Sequence, residues 1–300
     1  MSKIPQVNLP IFIGYRCNYS CQDCSAGSDF IKNTQLDPTL EEIMSAIPIL
    51  AEKFEVQSMI SLHGGEPFLY WDEKVVPLAI ELNRWFPDTT INIFTNGHLI
   101  GKNLTNIFDL VSQINNISFT ISAHLKGDLN SKVGQQWSSS INELISHPSI
   151  VKIHDEHYHF KDNIRANIYF HSPEYWSSHY VRHPNGQIKP HATNNPEKSM
   201  EHGCLGSVCS SLHGTKLYKC GRLGNLADTL RVSGQLDDPD WQKYLNYQPI
   251  DLLDINQIEL DKFVETYHKP ISVCDMCQGS KPKLKWTDRT WDMVFTKGHP

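Results

Sequence analysis

The chain has 300 residues, 39% of them hydrophobic and 20% charged, with a net charge of −6. That composition suits one large globular domain, or one with a small appendage, and excludes a disordered or fibrous chain. The mild acidity argues against nucleic acid or an anionic membrane as a partner, no apolar run nears the roughly 18–20 residues of a membrane span, and the first residues lack a signal-peptide core, so the expectation is a soluble, cytoplasmic protein.

In chain order, Val7 to Tyr15 reads as a buried strand that runs directly into Cys17. Thr39-Leu40-Glu41-Glu42 opens a helix to about Phe54, with Ile43, Ile47 and Leu50 on one face. A strand from Val56 to Leu62 ends in His63-Gly64-Gly65-Glu66-Pro67, and a helix follows over 72–86. Thr90 to Thr95 is a strand ending in Asn96-Gly97, Leu104 to Ile114 is helical, Ile117 to Ile121 is a strand, and a helix follows near 135–146. Ile164 to Phe170 is a fifth strand. Strands alternating with helices imply βαβ units around a parallel sheet, with chemistry at the C-terminal strand ends. Residues 172–199, rich in His, Pro, Asn and Ser, read as a linker or substrate-covering segment. Beyond them, Val208 to Leu212 and Lys216 to Cys220 flank His213-Gly214 as a hairpin, and two short helices near 240–247 and 257–268 precede Cys274.

The eight cysteines fall into two groups, Cys17, Cys21 and Cys24 against Cys204, Cys209, Cys220, Cys274 and Cys277. In a cytoplasmic chain such grouping points to metal or redox chemistry rather than disulfides. Cys17 to Cys24 is C-x3-C-x2-C on one loop. Three thiolates there can hold three irons of a [4Fe–4S] cube and leave the fourth iron open, whereas structural zinc normally takes four protein ligands.

This triad after the first strand resembles that of the radical S-adenosylmethionine (SAM) superfamily. Gly64-Gly65-Glu66-Pro67 after the second strand is similar to the family's GGEP motif, and Thr95-Asn96-Gly97 after the third to its TNG segment. The resemblance covers about residues 7–170. It implies a partial (β/α)6 TIM-like barrel over 1–171, and a catalytic [4Fe–4S] cluster on Cys17, Cys21 and Cys24. The open iron would chelate SAM, and reductive cleavage would yield a 5′-deoxyadenosyl radical that abstracts a hydrogen atom from substrate. It further implies that Gly64 and Gly65 let backbone approach the methionyl part of SAM, that Glu66 receives its ammonium group directly or through backbone geometry, and that Pro67 stiffens the turn. Asn96, Thr120, Ser122 and Ile168 occupy positions for ribose, polar and adenine contacts, each also readable as a strand-end cap or core residue. One departure is Asp23, where the family usually carries an aromatic residue beside adenine.

In the C-terminal group, a hairpin cysteine followed by C-x2-C is a metal signature, with a zinc ribbon as the alternative to iron–sulfur. Gly214 to Cys220 resembles the hairpin of SPASM and twitch extensions, although the family's usual spacing is one residue shorter. The resemblance implies a small twitch-like α+β extension over 200–300 holding one auxiliary [4Fe–4S] cluster. Cys220, Cys274 and Cys277 are expected ligands. The fourth is Cys204 or Cys209, with Cys204 favoured, and the leftover thiol is a buried small hydrophobe or a hydrogen-atom donor.

Most of the fifteen histidines read as solvated or structural, but His63 and His124 adjoin strand ends and are candidate substrate contacts. Tyr175, Trp176 and Tyr180 are candidates for a substrate wall or for core packing. The expected function is a radical SAM oxidoreductase or epimerase-type enzyme whose auxiliary cluster aids oxidation of the substrate radical. A flavodoxin- or ferredoxin-like electron donor is expected. A sugar-like small molecule is favoured as substrate, because little chain precedes the first strand to hold a peptide-recognition domain. A maturase of ribosomally made peptides and a non-catalytic metal-stabilised binding protein are the alternatives.

Overall fold

The computed structural model describes residues 3–21, 24–31, 34–122, 130–171, 175–176, 179–201, 204, 210–279 and 284–285, with side chains omitted at 175–176 and 284–285. The elements in the first part are β1 (Ile4–Phe12), α1 (Leu40–Lys53), β2 (Phe54–His63), α2 (Val76–Trp85), β3 (Thr90–Thr95), α3 (Leu104–Gln113), β4 (Ile117–Ser122) and α4 (Lys132–Ile145). Then come β5 (Ile150–His154), β6 (His157–Phe160), β7 (Asn163–His171), β8 (Tyr175–Trp176), β9 (Val181–Arg182), β10 (Ile188–Lys189) and α5 (Pro196–Glu201). The rest is β11 (Ser211–His213), β12 (Lys216–Tyr218), α6 (Gly221–Val232), α7 (Pro239–Leu245), β13 (Ile250–Asp251), α8 (Gln257–Thr266) and β14 (Leu284–Lys285).

The expected alternation is present. α1 starts at a full capping box, with Thr39 Oγ1 accepting from Glu42 N–H and the Glu42 carboxylate accepting from Thr39 N–H. One ten-stranded sheet has the order β13-β12-β11-β1-β2-β3-β4-β7-β6-β5. Within it β11, β1, β2, β3, β4 and β7 run parallel.

Three features differ from the sequence reading. The expected fifth strand, β7, arrives only after an antiparallel excursion through β5 and β6. The sixth parallel strand is β11, from the C-terminal region, so the hairpin β11–β12 continues the sheet of the N-terminal strands beside β1. α6 is not anticipated at all: Gly221 and Gly224 lower its intrinsic helix preference, and tertiary packing overrides it.

Strand parity divides the sheet chemically. Leu212, Ile11, Leu62, Ile93, Phe119 and Ile168 lie in one row across six strands, each at most 1% exposed. They share one core with Ile43, Ile47 and Leu50 of α1, Leu78 and Leu82 of α2, and Trp137, Ile141 and Leu144 of α4. Each such buried side chain contributes about 1.5–3 kcal/mol. One residue along, Pro10, Ser61, Asn92, Ser118 and Asn167 form a row on the opposite face. The sheet therefore presents an apolar face to the helices and a polar face on its other side.

Candidate functional site

The chain leaves β1 through Gly14 and Tyr15 to reach Cys17, and a knot of side chains fixes that path. Asp37 accepts from Tyr15 N–H at 2.7 Å and from the Tyr70 hydroxyl at 2.8 Å. The Tyr70 oxygen accepts from Arg16 N–H at 2.5 Å. Lys74, 3% exposed, donates to the carbonyls of Ile13 and Pro38. The Arg16 guanidinium lies over the Tyr70 ring, 4.1 Å from its centroid.

The loop after β2 is stitched to this segment by backbone. Gly65 N–H donates to Gly14 C=O at 2.8 Å, and Glu66 N–H to Arg16 C=O at 2.7 Å. A Cβ on Gly65 would lie 1.9 Å from the Arg16 carbonyl oxygen, and one on Gly64 2.4 Å from that of Gly14. Both glycines thus permit two loops to touch. The Glu66 side chain is fully buried and accepts from Thr95 Oγ1 (2.7 Å), Asn96 N–H (2.8 Å) and Phe68 N–H (3.2 Å). Burial pushes its carboxyl up to about 7 against the pull of those donors. Pro67 opens the short helical turn Pro67–Tyr70, for which Glu66 is the cap.

Cys17, Cys21 and Cys24 are gathered above this junction. Burial raises the Cys17 thiol well above its usual range, and Cys21, Glu66 and Cys24 add to the rise through their charges. Tyr19 N–H points at Cys17 Sγ from 3.4 Å. Asn96 joins the same cluster of contacts: its Nδ2 donates to Asn18 Oδ1 at 2.7 Å and lies 4.0 Å from Cys17 Sγ.

The other expected contacts are placed less favourably. Thr120 Oγ1 donates to Asn92 Oδ1 at 3.0 Å, beside Ser118 Oγ at 2.7 Å. Asn92 Nδ2 is buried without a hydrogen-bond partner among the described residues. Ser122 is partly buried at the end of the same polar face. Ile168 lies on the helix-covered face, opposite Thr120; the residue level with Thr120 on β7 is Tyr169. Period-2 parity, which the sequence already contains, points to that neighbour. Asp23 and His124 lie outside the described residues, as do the side chains of Tyr175 and Trp176. Tyr180 packs in a second core with Trp241 and Met276.

His63 and His213 flank Phe12 in one row at the C-terminal strand ends. Phe12 stacks on His213 at 4.7 Å and meets His63 edge-on at 6.0 Å. Both residues are partly exposed; His213 Nε2 meets Ser211 Oγ at 3.0 Å, whereas His63 Nε2 is buried and has no partner among the described residues. Burial pushes His63 down to about 4, and burial together with His63 pushes His213 down to about 3, so both are neutral near pH 7.

The C-terminal thiols also meet. Cys220 is the N-cap residue of α6, and Cys274 and Cys277 lie in and after the short turn Ser272–Met276. Burial raises Cys220 to about 11, with Cys204 and Cys274 contributing. Burial also raises Cys277, through added repulsion from Cys220, Cys204 and Cys274. Cys204 thus stands with the three expected ligands, while Cys209 lies outside the described residues. Among the described residues, no three His, Cys, Asp or Glu side chains stand close enough to hold one metal ion. A cluster needs a wider spacing, because each sulfur ligand binds a separate iron.

Residues 9–146 match the family model of a 4Fe-4S single cluster domain, a span that contains Cys17, Cys21 and Cys24. No curated protein matches the chain. Among solved structures it is similar to BtrN in complex with AdoMet and 2-DOIA, at 15% identity and a TM-score of 0.46 over 95% of this chain and 100% of that one. It is also similar to anSMEcpe with bound AdoMet and a peptide, at 14% identity and a TM-score of 0.41 over 94% and 93% of the two chains. No helix of the described residues is long and apolar enough to cross a membrane. The family match marks residues 9–146 as a 4Fe-4S single cluster domain, and the cysteine spacing and motif order within that span resemble those of the radical SAM superfamily.

Proposed function

We propose that this chain is a radical SAM enzyme with an auxiliary [4Fe–4S] cluster on Cys204, Cys220, Cys274 and Cys277. The observation that carries the reading is the junction of the C-x3-C-x2-C loop with the Gly64–Pro67 loop through backbone hydrogen bonds. The donor sets fit such clusters: three gathered thiols on one loop, and four mutually coupled thiols at the second site. When bound, the first cluster and SAM supply a 5′-deoxyadenosyl radical that takes a hydrogen atom from substrate.

The chain's own residues do the positioning. Gly64 and Gly65 hold the two loops in register, and their strand-end backbone is offered to the methionyl group. Glu66 acts through that backbone, since its carboxylate is engaged by Thr95, Asn96 and Phe68. His63 and His213, neutral and at the mouth of the polar face, offer hydrogen bonds to hydroxyl groups. Those imidazoles and the Ser61, Asn92 and Ser118 row favour a sugar-like substrate. Oxidation of such a substrate would release a hydrogen atom, an electron and a proton; Cys204, Cys220, Cys274 and Cys277 would hold the cluster that supplies an acceptor for the electron, and the proton would pass to water.

A second reading is a maturase of ribosomally made peptides. It is favoured by β5, which ends the sheet with Val151 and Ile153 exposed and offers an edge where an extended peptide can pair. The test is anaerobic turnover of SAM by the reduced protein. 5′-Deoxyadenosine and methionine should form slowly without substrate, and not at all when Cys17, Cys21 and Cys24 are replaced by Ala. Absence of 5′-deoxyadenosine from the iron-replete wild type overturns the reading. Transfer of deuterium into 5′-deoxyadenosine from labelled sugars or from labelled peptides separates the two substrate classes.

A further inference from the structure

α6 connects the two cysteine sites. Its N-cap residue, Cys220, belongs to the second site, and one of its faces docks on the loop of the first. Asn225 Nδ2 donates to Ser25 C=O at 2.9 Å, and Asp228 accepts from the Tyr15 hydroxyl at 3.0 Å. Arg222 touches both sites. It lies two residues after Cys220 in the first turn of α6, and its Nη2 donates to Cys24 C=O at 2.9 Å.

The charge on that guanidinium is unusual. Arg222 is 6% exposed, and among the described residues no carboxylate lies within ion-pair distance. Its Nε is buried and has no hydrogen-bond partner there. The remaining contacts are neutral: Asn225 Oδ1 at 3.5 Å and the Tyr180 ring, 5.2 Å from the guanidinium. Lys219, 3% exposed on the other side of Cys220, likewise donates only to carbonyls, those of Thr266 and Tyr267. Two buried cations without carboxylates are costly unless an anion lies beside them. A four-iron cluster with four thiolate ligands is such an anion, and reduction makes it more negative. The guanidinium also stands close enough to Cys277 to act electrostatically on its sulfur, which places it beside that ligand set.

We propose that Arg222 is a positioning residue that couples the two sites, raising the reduction potential of the cluster at the second while its bond to Cys24 holds the loop of the first. This rests on the reading that both sites carry [4Fe–4S] clusters. A cation held close to the cluster stabilises the reduced form more than the oxidised one, so its removal must lower the potential. Lys, with charge but no planar fork, should keep most of the potential and lose the bidentate reach.

The experiment is a redox titration of the anaerobically reconstituted full chain, followed by electron paramagnetic resonance. Its variants are Arg222→Gln, Arg222→Lys and Asn225→Ala. Arg222→Gln should shift the second-site midpoint downward at unchanged iron content, and Arg222→Lys should lie near wild type. Asn225→Ala, which cuts a tie of α6 to the first loop but keeps the charge, should leave the second-site midpoint in place. Should Arg222→Gln lose second-site iron, the loss supports the counter-charge if Arg222→Lys retains that iron. The proposal is overturned if Arg222→Gln holds full iron at an unshifted midpoint, or if Asn225→Ala moves the midpoint equally. A wild type that takes up only about four iron atoms overturns the two-cluster reading itself, and the proposal with it.

Discussion

The two cysteine sites are built in opposite ways. The first draws its thiols from residues 17–24, one loop after one strand, and the surroundings hold that loop by backbone contacts and by the Asp37–Tyr70–Arg16 knot. The second draws on residues 204–277, with thiols at a helix N-cap, around a short turn and on a separate segment. A ligand bound at the first site fastens one loop. At the second it fastens several elements far apart in sequence, so its binding is more strongly coupled to folding. The difference teaches that a cofactor held within one loop can be a guest of a finished scaffold, whereas one held across segments far apart in sequence becomes part of the scaffold.

The largest test of that contrast is loss of iron. Reconstituted wild type should hold about eight iron atoms, and the Cys17, Cys21 and Cys24 triple Ala variant about four. Cys220→Ala should also fall to about four, but with a larger drop in thermal midpoint than the triple variant. Equal midpoints for the two variants would break the contrast.

Gly65→Ala comes next. A methyl group 1.9 Å from a backbone oxygen cannot be relieved by rotating a side chain, so the two loops must separate. The expected cost is about 3 kcal/mol in denaturant unfolding, with iron lost from the first site alone. Loss from both sites would show that the loops and α6 do not fail independently.

Glu66→Ala should cost about 2 kcal/mol even without cofactor, because Asn96 N–H and Phe68 N–H lose their buried acceptor. An apoprotein of unchanged stability that nonetheless fails to bind SAM would instead assign Glu66 to the ligand.

pH probes the ground between the sites. His63 and His213 have folded values of about 4 and about 3 against an ordinary 6.5, so the unfolded chain binds more protons than the folded one across that interval. Their contribution to stability is complete above 6.5 and lost as pH falls toward 4 and 3. Urea unfolding of the apoprotein from pH 7 to 4 should show the decline, and His63→Gln should make it shallower. An unchanged slope in that variant would remove His63 from the account. The smallest effect belongs to Glu73→Ala, which breaks the exposed pair with Arg16 at 2.7 Å and should change stability by less than about 1 kcal/mol.

Much of the N-terminal α/β region is legible because its signals are local. Thr39 and Glu42 mark the start of α1, Thr90 to Thr95 has the strand's bounds, and cysteine spacing with the GGEP segment locates the first site. Glu66 shows where such reading stops. Its position was visible, but its engagement by Thr95 and Asn96 depends on β2 and β3 pairing in register. The resemblance offers Ile168 and Thr120 alike as site residues, but pairing across β4 and β7 places them on opposite faces. The antiparallel β5–β6 excursion was hidden because short His- and Tyr-containing strands lack a clear apolar alternation.

The sequence by itself determined the class of sheet, the thiols of the first site and the order of the motifs, because each is encoded within a few residues by periodicity, capping or spacing. Only the tertiary structure decided that β11 from the extension completes the parallel run, that Cys204 stands with Cys220, Cys274 and Cys277, and that α6 carries Arg222 from one site to the other. The physical reason is that these are long-range facts. Gly221 and Gly224 weaken α6 as an isolated helix, yet the ring of His213 fills the space that a Cβ on Gly224 would occupy. What reads as a liability along the chain is the close contact that lets the helix sit between the two sites.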